Sequence, residues 1–342
     1  MTSRLIRRRA LGAALLAAPA LLRAARAAAP IRLRCSLDTA PSHGRNKSLA
    51  DYLQKLEAAS GGRIKTELFQ SGQLFSDLDV TKGLIQGQVE MACPGTWTLT
   101  GFIPDCDMFQ LPVLYGQPFE IAHKVVDGRA GAMVNGEIEK RLQSRVLGPW
   151  LDLGYQNWYS ATHKLTEYGD LKGLKIRNSG GAGVAWRTRF FGAIPNTTAW
   201  PNVPLALSQG TFDGLISTDE SVASSKLWEA GVKYAFADHQ FIGEYIPLVA
   251  TRFWTTLPPD LQKLMSDLWA ANIGRYRGEM AADQEAARQA LIAHGVTYTV
   301  PPAAEVTAER GTMLPDQDKV AREIKISPEI VRLVVEDVGA AA

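Results

Sequence analysis

The sequence predicts an α/β protein of two lobes around a cleft, with one long helix shared along both lobes. A chain of 342 residues is too long for one ordinary hydrophobic core. Strand and helix patterns alternate in each half of the chain, which is typical of sheets covered by helices. A helical pattern also runs from Pro258 toward His294 almost without capping signals. Such a helix must be long, kinked or shared between domains.

The first 27 residues have the pattern of an export signal. Four arginines precede the uncharged apolar run 10–22, and Ala25-Arg26-Ala27 provides a small-x-small cleavage site. The apolar run is too short to span a bilayer. We expect cleavage near Ala27 and a periplasmic protein. Arg8-Arg9 leaves both the twin-arginine and the general secretory route open.

Removal of residues 1–27 changes the net charge of the protein. This segment holds six arginines and no acidic residue, so 37 − 6 = 31 basic and 35 acidic residues remain. The resulting net charge of −4 gives no argument for nucleic-acid binding.

The first half of the mature chain reads as β-α-β-α-β. Alternating residues predict strands at 31–37, 64–68 and 89–93, and helical spacing predicts helices around 49–56 and 78–85. Ligands in such sheets lie beyond the carboxyl ends of the strands. The loops Asp38–Gly44, which holds His43, and Pro94–Thr100, which holds Trp97, are therefore candidate parts of a site.

The second half contains another α/β unit between Gly154 and about Phe241. A strand-like run at 145–154 leads into a polar and aromatic run, 155–159, which we interpret as a ligand-lined crossing between lobes. The stretch Asp170–Arg177 reads as a turn and a strand that ends on an arginine beside two glycines. The other predictions are helices at 184–191, 203–208, 227–234 and 328–338, strands at 213–218 and 296–300, and an irregular linker at 195–201.

The lobe boundaries follow from this reading. We expect lobe I to comprise 28–153 plus about 242–280, and lobe II to comprise 154–241 plus about 281–342. In the last helix, Val331, Val334, Val335 and Val338 are expected to point inward.

The chain has three cysteines: Cys35, Cys93 and Cys106. Cys93 and Cys106 could form a disulfide, and all three could equally be small buried thiols. There is no CxxC motif and no Cys/His pair at metal-binding spacing, so no metal site and no cofactor is predicted. The motifs of nucleophile elbows, P-loops, zinc proteases and dinucleotide-binding folds are also absent, which disfavours an enzyme.

Several motifs together resemble one family over the whole mature chain. The most specific pair is Asp170-Leu171-Lys172-Gly173-Leu174-Lys175-Ile176-Arg177 and Ala206-Leu207-Ser208-Gln209-Gly210-Thr211-Phe212-Asp213-Gly214. In order and spacing the chain is similar to the solute-binding subunits of tripartite ATP-independent periplasmic (TRAP) transporters. The resemblance implies a periplasmic-binding-protein-like fold, an organic-acid ligand and a membrane permease as partner. We expect a monomer.

The resemblance assigns Arg177 to the ligand carboxylate. An arginine common in the family is replaced here by Gln156, and a common asparagine by Ser217, which points to a smaller or less charged acid. Arginine suits this role because its planar fork donates two parallel hydrogen bonds to one carboxylate.

Further candidate residues would surround this anchor. Trp97, Trp200 and Trp158 would add apolar burial, and Gln156, Asn178 and Ser217 would add neutral hydrogen bonds. Asp219 could bind a hydroxyl, an ammonium group or an ion that bridges a keto acid, and His43 completes the set. An exported ligand carrier for chemosensing remains an alternative to transport.

Overall fold

The computed structural model of the chain describes residues 29–339. The predicted signal peptide, 1–27, and its cleavage site near Ala27 lie outside these residues. The strands in chain order are β1 Ile31–Ser36, β2 Ile64–Phe69, β3 Met91–Ala92, β4 Ser144–Val146, β5 Leu151–Ser160, β6 Lys175–Asn178, β7 Ile194–Thr197, β8 Gly214–Ser217, β9 Tyr234–Tyr245, β10 Leu248–Ala250 and β11 Thr297–Thr299.

Helices cover both sheets. In chain order they are α1 Gly44–Ala59, α2 Asp77–Gln86, α3 Thr96–Leu99, α4 Phe119–Val126, α5 Arg129–Arg141, α6 Ala182–Phe190, α7 Val203–Ser208, α8 Asp219–Ser224, α9 Thr251–Trp254, α10 Pro259–Ala293, α11 Ala303–Met313, α12 Gln317–Glu323 and α13 Pro328–Gly339. Short 3₁₀ turns lie at Pro104–Gln110, Pro112–Leu114, Tyr168–Leu171, Trp200–Asn202 and Leu314–Asp316.

The strands form two separate sheets, which confirms the predicted two-lobed α/β fold. The first sheet has the order β2-β1-β3-β10-β4, and the second has the order β11-β9-β5-β8-β6-β7. In the first sheet β1 pairs in parallel with β2 and β3, as the β-α-β-α-β pattern predicts. In the second sheet β6 pairs in parallel with β7 and β8, so the carboxyl ends of these strands meet at one edge.

The long helix is confirmed as α10, which has 35 residues. It packs on α1 beside the first sheet and on α8 and β5 of the second. Tyr52 of α1 donates its hydroxyl to the Met265 carbonyl at 3.1 Å. Further along α10, Gln284 donates to the Leu153 carbonyl at 2.5 Å and accepts from the Glu220 amide at 3.0 Å. The helix therefore holds both lobes at fixed positions along its length.

Some predicted elements differ from the structure. Residues 195–201 do not form only a linker, because 194–197 is the edge strand β7. Residues 227–231 form turns rather than a helix, and Tyr234 already begins β9. Lys226 has a φ of 48° in the left-handed region. The run 145–154 is broken between β4 and β5. In α13, Val334 is buried as expected, whereas Val335 is 41% exposed.

The predicted lobe boundaries remain a prediction. Both of them fall inside paired strands, 153/154 within β5 and 241/242 within β9. At the carboxyl end, α13 packs on α4 and α5, and Lys124 donates to the Asp337 carbonyl at 2.7 Å.

Cys35, Cys93 and Cys106 are free buried thiols. Burial raises the pKa of Cys35 to about 12, so this thiol stays protonated at neutral pH. No helix within residues 29–339 combines the length and the apolar character that a membrane span needs.

Candidate functional site

One cavity lies between the two sheets. Its volume is about 420 Å³, including space open to solvent. The first-sheet side supplies Asp38, Thr39, Asp77, Leu78, Trp97 and Thr98, and the second-sheet side supplies Leu153, Gln156, Arg177, Ser179, Ala199, Trp200, Ser217, Ser221 and Tyr245, the last residue of β9. Both loops proposed from the sequence contribute, Asp38–Gly44 through Asp38 and Thr39, and Pro94–Thr100 through Trp97 and Thr98.

Arg177 lies at the carboxyl end of β6 and is only 2% exposed. Its Nε donates to the Thr198 carbonyl and its Nη1 to Ser179 Oγ, both at 2.9 Å. These partners are uncharged, and no carboxylate within residues 29–339 forms an ion pair with this guanidinium. The Trp200 ring centroid lies 5.2 Å from the guanidinium carbon. Arg177 is therefore a buried cation with neutral hydrogen-bond partners.

Burial lowers the pKa of Arg177 to about 10, while the charge of Asp38 and the Tyr245 hydroxyl oppose this shift. The guanidinium therefore stays charged at neutral pH. A buried charge without a counter-ion is unfavourable, so an anion that enters the cavity would gain from meeting it.

A second buried arginine, Arg45, lies behind the opposite wall of the cavity. Its Nη2 donates to Asp38 Oδ1 at 2.7 Å, and its Nη1 donates to Asp77 Oδ2 at 2.6 Å. It also contacts Thr39, and the guanidinium carbon lies 4.2 Å from the Tyr245 ring centroid. Burial raises the pKa of Asp77, and the charge of Arg45 opposes this shift. Arg45 is thus neutralised by the protein itself.

Neutral polar groups and tryptophans complete the cavity wall. Gln156 of β5 is 4% exposed, and its Nε2 is buried without a hydrogen-bond partner in the protein. Ser217 at the end of β8 also lines the cavity, as do the rings of Trp97 and Trp200. The structure thus brings together five of the residues predicted from the sequence: Arg177, Gln156, Ser217, Trp97 and Trp200.

Asn178 and Trp158 do not line the cavity, and each has another partner. Asn178 follows Arg177 in a strand, and successive strand residues point to opposite faces. Its Oδ1 accepts from the Gly180 amide and from Thr197 Oγ1 at 3.0 and 2.9 Å. Trp158 lies two residues beyond Gln156, where it donates to Asp238 Oδ2 at 2.8 Å and packs edge-on against Phe191.

Asp219 lies outside the main cavity, beside a different one. It accepts hydrogen bonds from the hydroxyls of Tyr159 and Tyr298 at 2.6 and 2.7 Å. Burial raises its pKa, and the two hydroxyls oppose the shift. Asp219 lines a cavity of about 630 Å³ beside α10, so the structure does not bring it to Arg177.

His43 also lies outside the cavity and connects the two lobes. It is fully buried at the start of α1, where its Nδ1 accepts from the Arg45 amide at 3.1 Å. Its Nε2 lies 2.9 Å from Glu220 Oε2 and 3.0 Å from Ser221 Oγ of α8. The Gly44 amide donates to Glu220 Oε1 at 3.0 Å. These contacts hold the two walls of the cavity together.

Comparisons with known proteins identify the family. The profile of the bacterial extracellular solute-binding proteins, family 7 (DctP), matches residues 36–323 of the chain. The chain belongs to this family. The resemblance to TRAP solute-binding subunits is thereby confirmed, and family members are solute-binding transport proteins.

Individual relatives place this family 7 protein among periplasmic binding proteins. It is 29% identical to the C4-dicarboxylate-binding periplasmic protein DctP of Rhodobacter capsulatus, over 87% of this chain and 88% of that protein.

Two solved structures share the fold. The sugar acid binding protein DctPAm of Advenella mimigardefordensis, in complex with galactonate, superposes with a TM-score of 0.86 at 21% identity and covers 92% of this chain and 99% of its own. A TRAP periplasmic solute-binding protein of Ralstonia eutropha H16, bound to (S)-2-acetolactate, gives 0.79 at 23% identity, with 90% and 98% covered.

Sequence reasoning missed the group around Arg45 in this family 7 protein. The sequence did contain a hint of this group. A basic residue in the first turn of a helix is unfavourable beside the positive end of the helix dipole, so it needs a nearby acidic partner. Arg45 occupies that position in α1. Its location predicts a carboxylate partner, and Asp38 lies seven residues earlier in the loop after β1.

Proposed function

We propose that this protein binds a small organic acid in the cavity between its lobes and delivers it to a TRAP-type permease. The observation that carries this proposal is the charge state of Arg177. This guanidinium is buried, lines the cavity and has neutral partners only, so an entering carboxylate would complete its coordination. A charge-assisted hydrogen bond contributes roughly 1.5–3 kcal/mol.

The ligand we propose carries one carboxylate held by Arg177. Arg45, the other buried arginine near the cavity, is already paired with Asp38 and Asp77. A second carboxylate in the cavity would face these two acidic groups, and the described residues that line the cavity offer no other cation. We therefore infer a monocarboxylate as the preferred ligand.

The remainder of the ligand would meet neutral groups. Gln156 offers an amide nitrogen without a protein partner, and Ser217 and Ser221 offer hydroxyls. Trp97 and Trp200 offer flat apolar surfaces. Such a wall favours an acid with hydroxyl or keto groups near the carboxylate and an apolar part beyond them.

The ligands bound by solved neighbours include acids of this chemistry and also the dicarboxylate succinate. Galactonate and 2-acetolactate each carry one carboxylate beside a hydroxyl group, and both are bound by proteins of this fold. The relative named for C4-dicarboxylates shares 29% of its residues with this chain, and its preference is tested below against the monocarboxylates.

A thermal-shift screen of the mature protein tests the proposal. Hydroxy and keto monocarboxylates should raise the melting temperature, because a ligand that binds only the folded state stabilises it. Dicarboxylates of similar size should give smaller shifts at equal concentration. Shifts with amines or neutral sugars alone would contradict the carboxylate proposal.

Two matched variants connect any hit to the cavity. Arg177→Ala should sharply reduce the ligand-induced shift at equal ligand concentration, because the charge-assisted bonds to the carboxylate are lost. Arg187→Lys is the control, because Arg187 is another fully buried arginine but does not line the cavity. The control should keep the shift even if its own melting temperature changes. Equal ligand shifts in Arg177→Ala and the wild type would refute the anchor role.

Delivery to a permease and export are further parts of the proposal. Deletion of the gene should abolish uptake of the identified acid, whereas a carrier used only for chemosensing would leave uptake intact and impair taxis. The acid should be recovered chemically unchanged after incubation with the protein.

Mass spectrometry of the exported protein should show cleavage near Ala27 and a monomer under native conditions.

A further inference from the structure

A second group of titratable side chains lies where α4, β5 and β9 meet, away from the ligand cavity. It consists of His123, Asp152 and Glu244. His123 Nε2 lies 2.9 Å from both carboxylate oxygens of Asp152. Asp152 and Glu244 are opposite each other in the antiparallel pairing of β5 and β9. One potential ligand atom from each residue lies within 4.8 Å of the others.

Glu244 is the residue that makes this group unusual. Its side chain is 0% exposed, and neither carboxylate oxygen has a hydrogen-bond partner among the described residues. A buried carboxylate without donors is strongly unfavourable, so it must hold a proton or meet a cation.

The nearest protein cation, Arg277 of α10, is occupied by other partners. Its Nη1 and Nη2 donate to Asp127 at 2.6 and 3.0 Å, and its Nε donates to the Trp150 carbonyl at 2.9 Å. It approaches Asp152 Oδ1 at 3.4 Å but donates no hydrogen bond to Glu244. The described residues therefore give the Glu244 carboxylate oxygens no hydrogen-bond donor.

We propose that His123, Asp152 and Glu244 bind a divalent transition-metal ion, with zinc as the best match. Zinc accepts both imidazole nitrogens and carboxylate oxygens as ligands, and a water molecule would complete a four-coordinate site. Imidazole disfavours magnesium and calcium, which prefer oxygen ligands. The His123 side chain is 33% exposed, which gives the ion a path from solvent.

Such an ion would join three elements around the region that connects the lobes. His123 lies on α4, and Asp152 and Glu244 lie on β5 and β9, the two strands within which the predicted lobe boundaries fall. Bound metal should therefore stabilise this region without contacting the organic acid at Arg177. The site is independent of the proposed ligand function.

Titration of Zn²⁺ into chelator-treated full-length mature protein tests the site. Calorimetry should show one ion per chain, and the melting temperature should rise with Zn²⁺ and return with EDTA. Glu244→Gln and His123→Gln should each weaken binding at least about tenfold, since each removes one ligand. Co²⁺ should give visible d–d absorption in the wild type that both variants lose. Mg²⁺ should bind more weakly than Zn²⁺.

A control variant and a second test variant keep the outcomes distinct. His163→Gln removes an exposed histidine outside the cluster and should leave the affinity unchanged. If Glu244→Gln fails to fold, the partly exposed His123 still provides the test. Absence of stoichiometric Zn²⁺ binding, or equal binding by wild type and His123→Gln, would overturn the proposal. The carboxyl groups of Asp152 and Glu244 would then share a proton instead.

Discussion

Two buried arginines on opposite sides of one cavity are used in different ways. Arg45 and Arg177 are 0% and 2% exposed, and each lies close to an aromatic ring. Arg45 is paired with two carboxylates, whereas Arg177 donates to a backbone carbonyl and a serine hydroxyl. A buried arginine therefore contributes to structure or to binding according to whether the protein supplies its counter-ion.

Replacement of Arg45 should have the largest effect, and it acts on stability. Arg45→Met would leave Asp38 and Asp77 as adjacent buried carboxylates without a cation. Breaking a buried ion pair costs about 3–5 kcal/mol. Urea unfolding at neutral pH should show a loss of that size, and a loss below about 1 kcal/mol would contradict the structural role of Arg45.

Replacement of Arg177 should have the opposite profile. Arg177→Met should weaken binding of the organic acid by about 10–150-fold, which corresponds to roughly 1.5–3 kcal/mol. The free energy of unfolding without ligand should stay unchanged or rise, because an uncompensated buried charge is removed. Calorimetry and urea unfolding measure the two quantities. If Arg177→Met strongly lowered the stability of the ligand-free protein but left the affinity for the acid unchanged, Arg177 would have a structural role like that of Arg45.

The comparison extends to a buried acid, Asp238. Its Oδ2 accepts from Trp158 and Tyr115, its Oδ1 has no partner, and burial raises its pKa to about 7. The folded protein therefore holds the proton on Asp238 more tightly than the unfolded chain does, where the pKa of this carboxyl is close to 3.8. This contribution to stability is fully present below about pH 4 and is lost as pH rises through about 7.

Asp238→Asn should remove this pH dependence. At pH 8 the variant should be more stable than the wild type by on the order of 1–2 kcal/mol, and the gain should disappear near pH 4. Urea midpoints measured from pH 4 to 8 provide the test. Parallel curves for the two proteins would show that Asp238 carries no such shift.

The smallest effect is expected at Gln156, a neutral group in the same cavity. Gln156→Leu removes an amide that has no protein partner, so stability should change little. Loss of one neutral hydrogen bond to the ligand costs roughly 0.5–1.5 kcal/mol, or about 2–10-fold in affinity. Unchanged affinity by calorimetry would show that the ligand does not use this amide.

Local patterns in the sequence predicted much of the fold. The elements from β1 to α2 follow from residue spacing and from the glycines that end the helices, and the long helix α10 follows from helical spacing alone. The strand β9 was not predicted, because Asp238, Gln240 and Glu244 are buried polar residues within it and break the apolar alternation. The predicted helix 227–234 failed because local apolar spacing does not reveal the turns that these residues form.

Only part of the site could be predicted from the sequence, namely which residues end a strand and which face of the strand each residue occupies. Arg177 could be placed because it ends a strand, and strand parity alone excludes its neighbour Asn178 from the same wall. The pairing of Arg45 with Asp77 and the cluster of His123 with Glu244 join residues far apart in the chain. No spacing rule connects such residues, so their contacts require the folded structure.

The most direct test of the account is a crystal structure of the protein with the acid that gives the largest thermal shift. We predict that both carboxylate oxygens lie about 2.7–2.9 Å from nitrogens of Arg177. Arg45 should keep both aspartates, with its distances to Asp38 and Asp77 unchanged. A carboxylate bound at Arg45, or bound without contact to Arg177, would contradict the central claim.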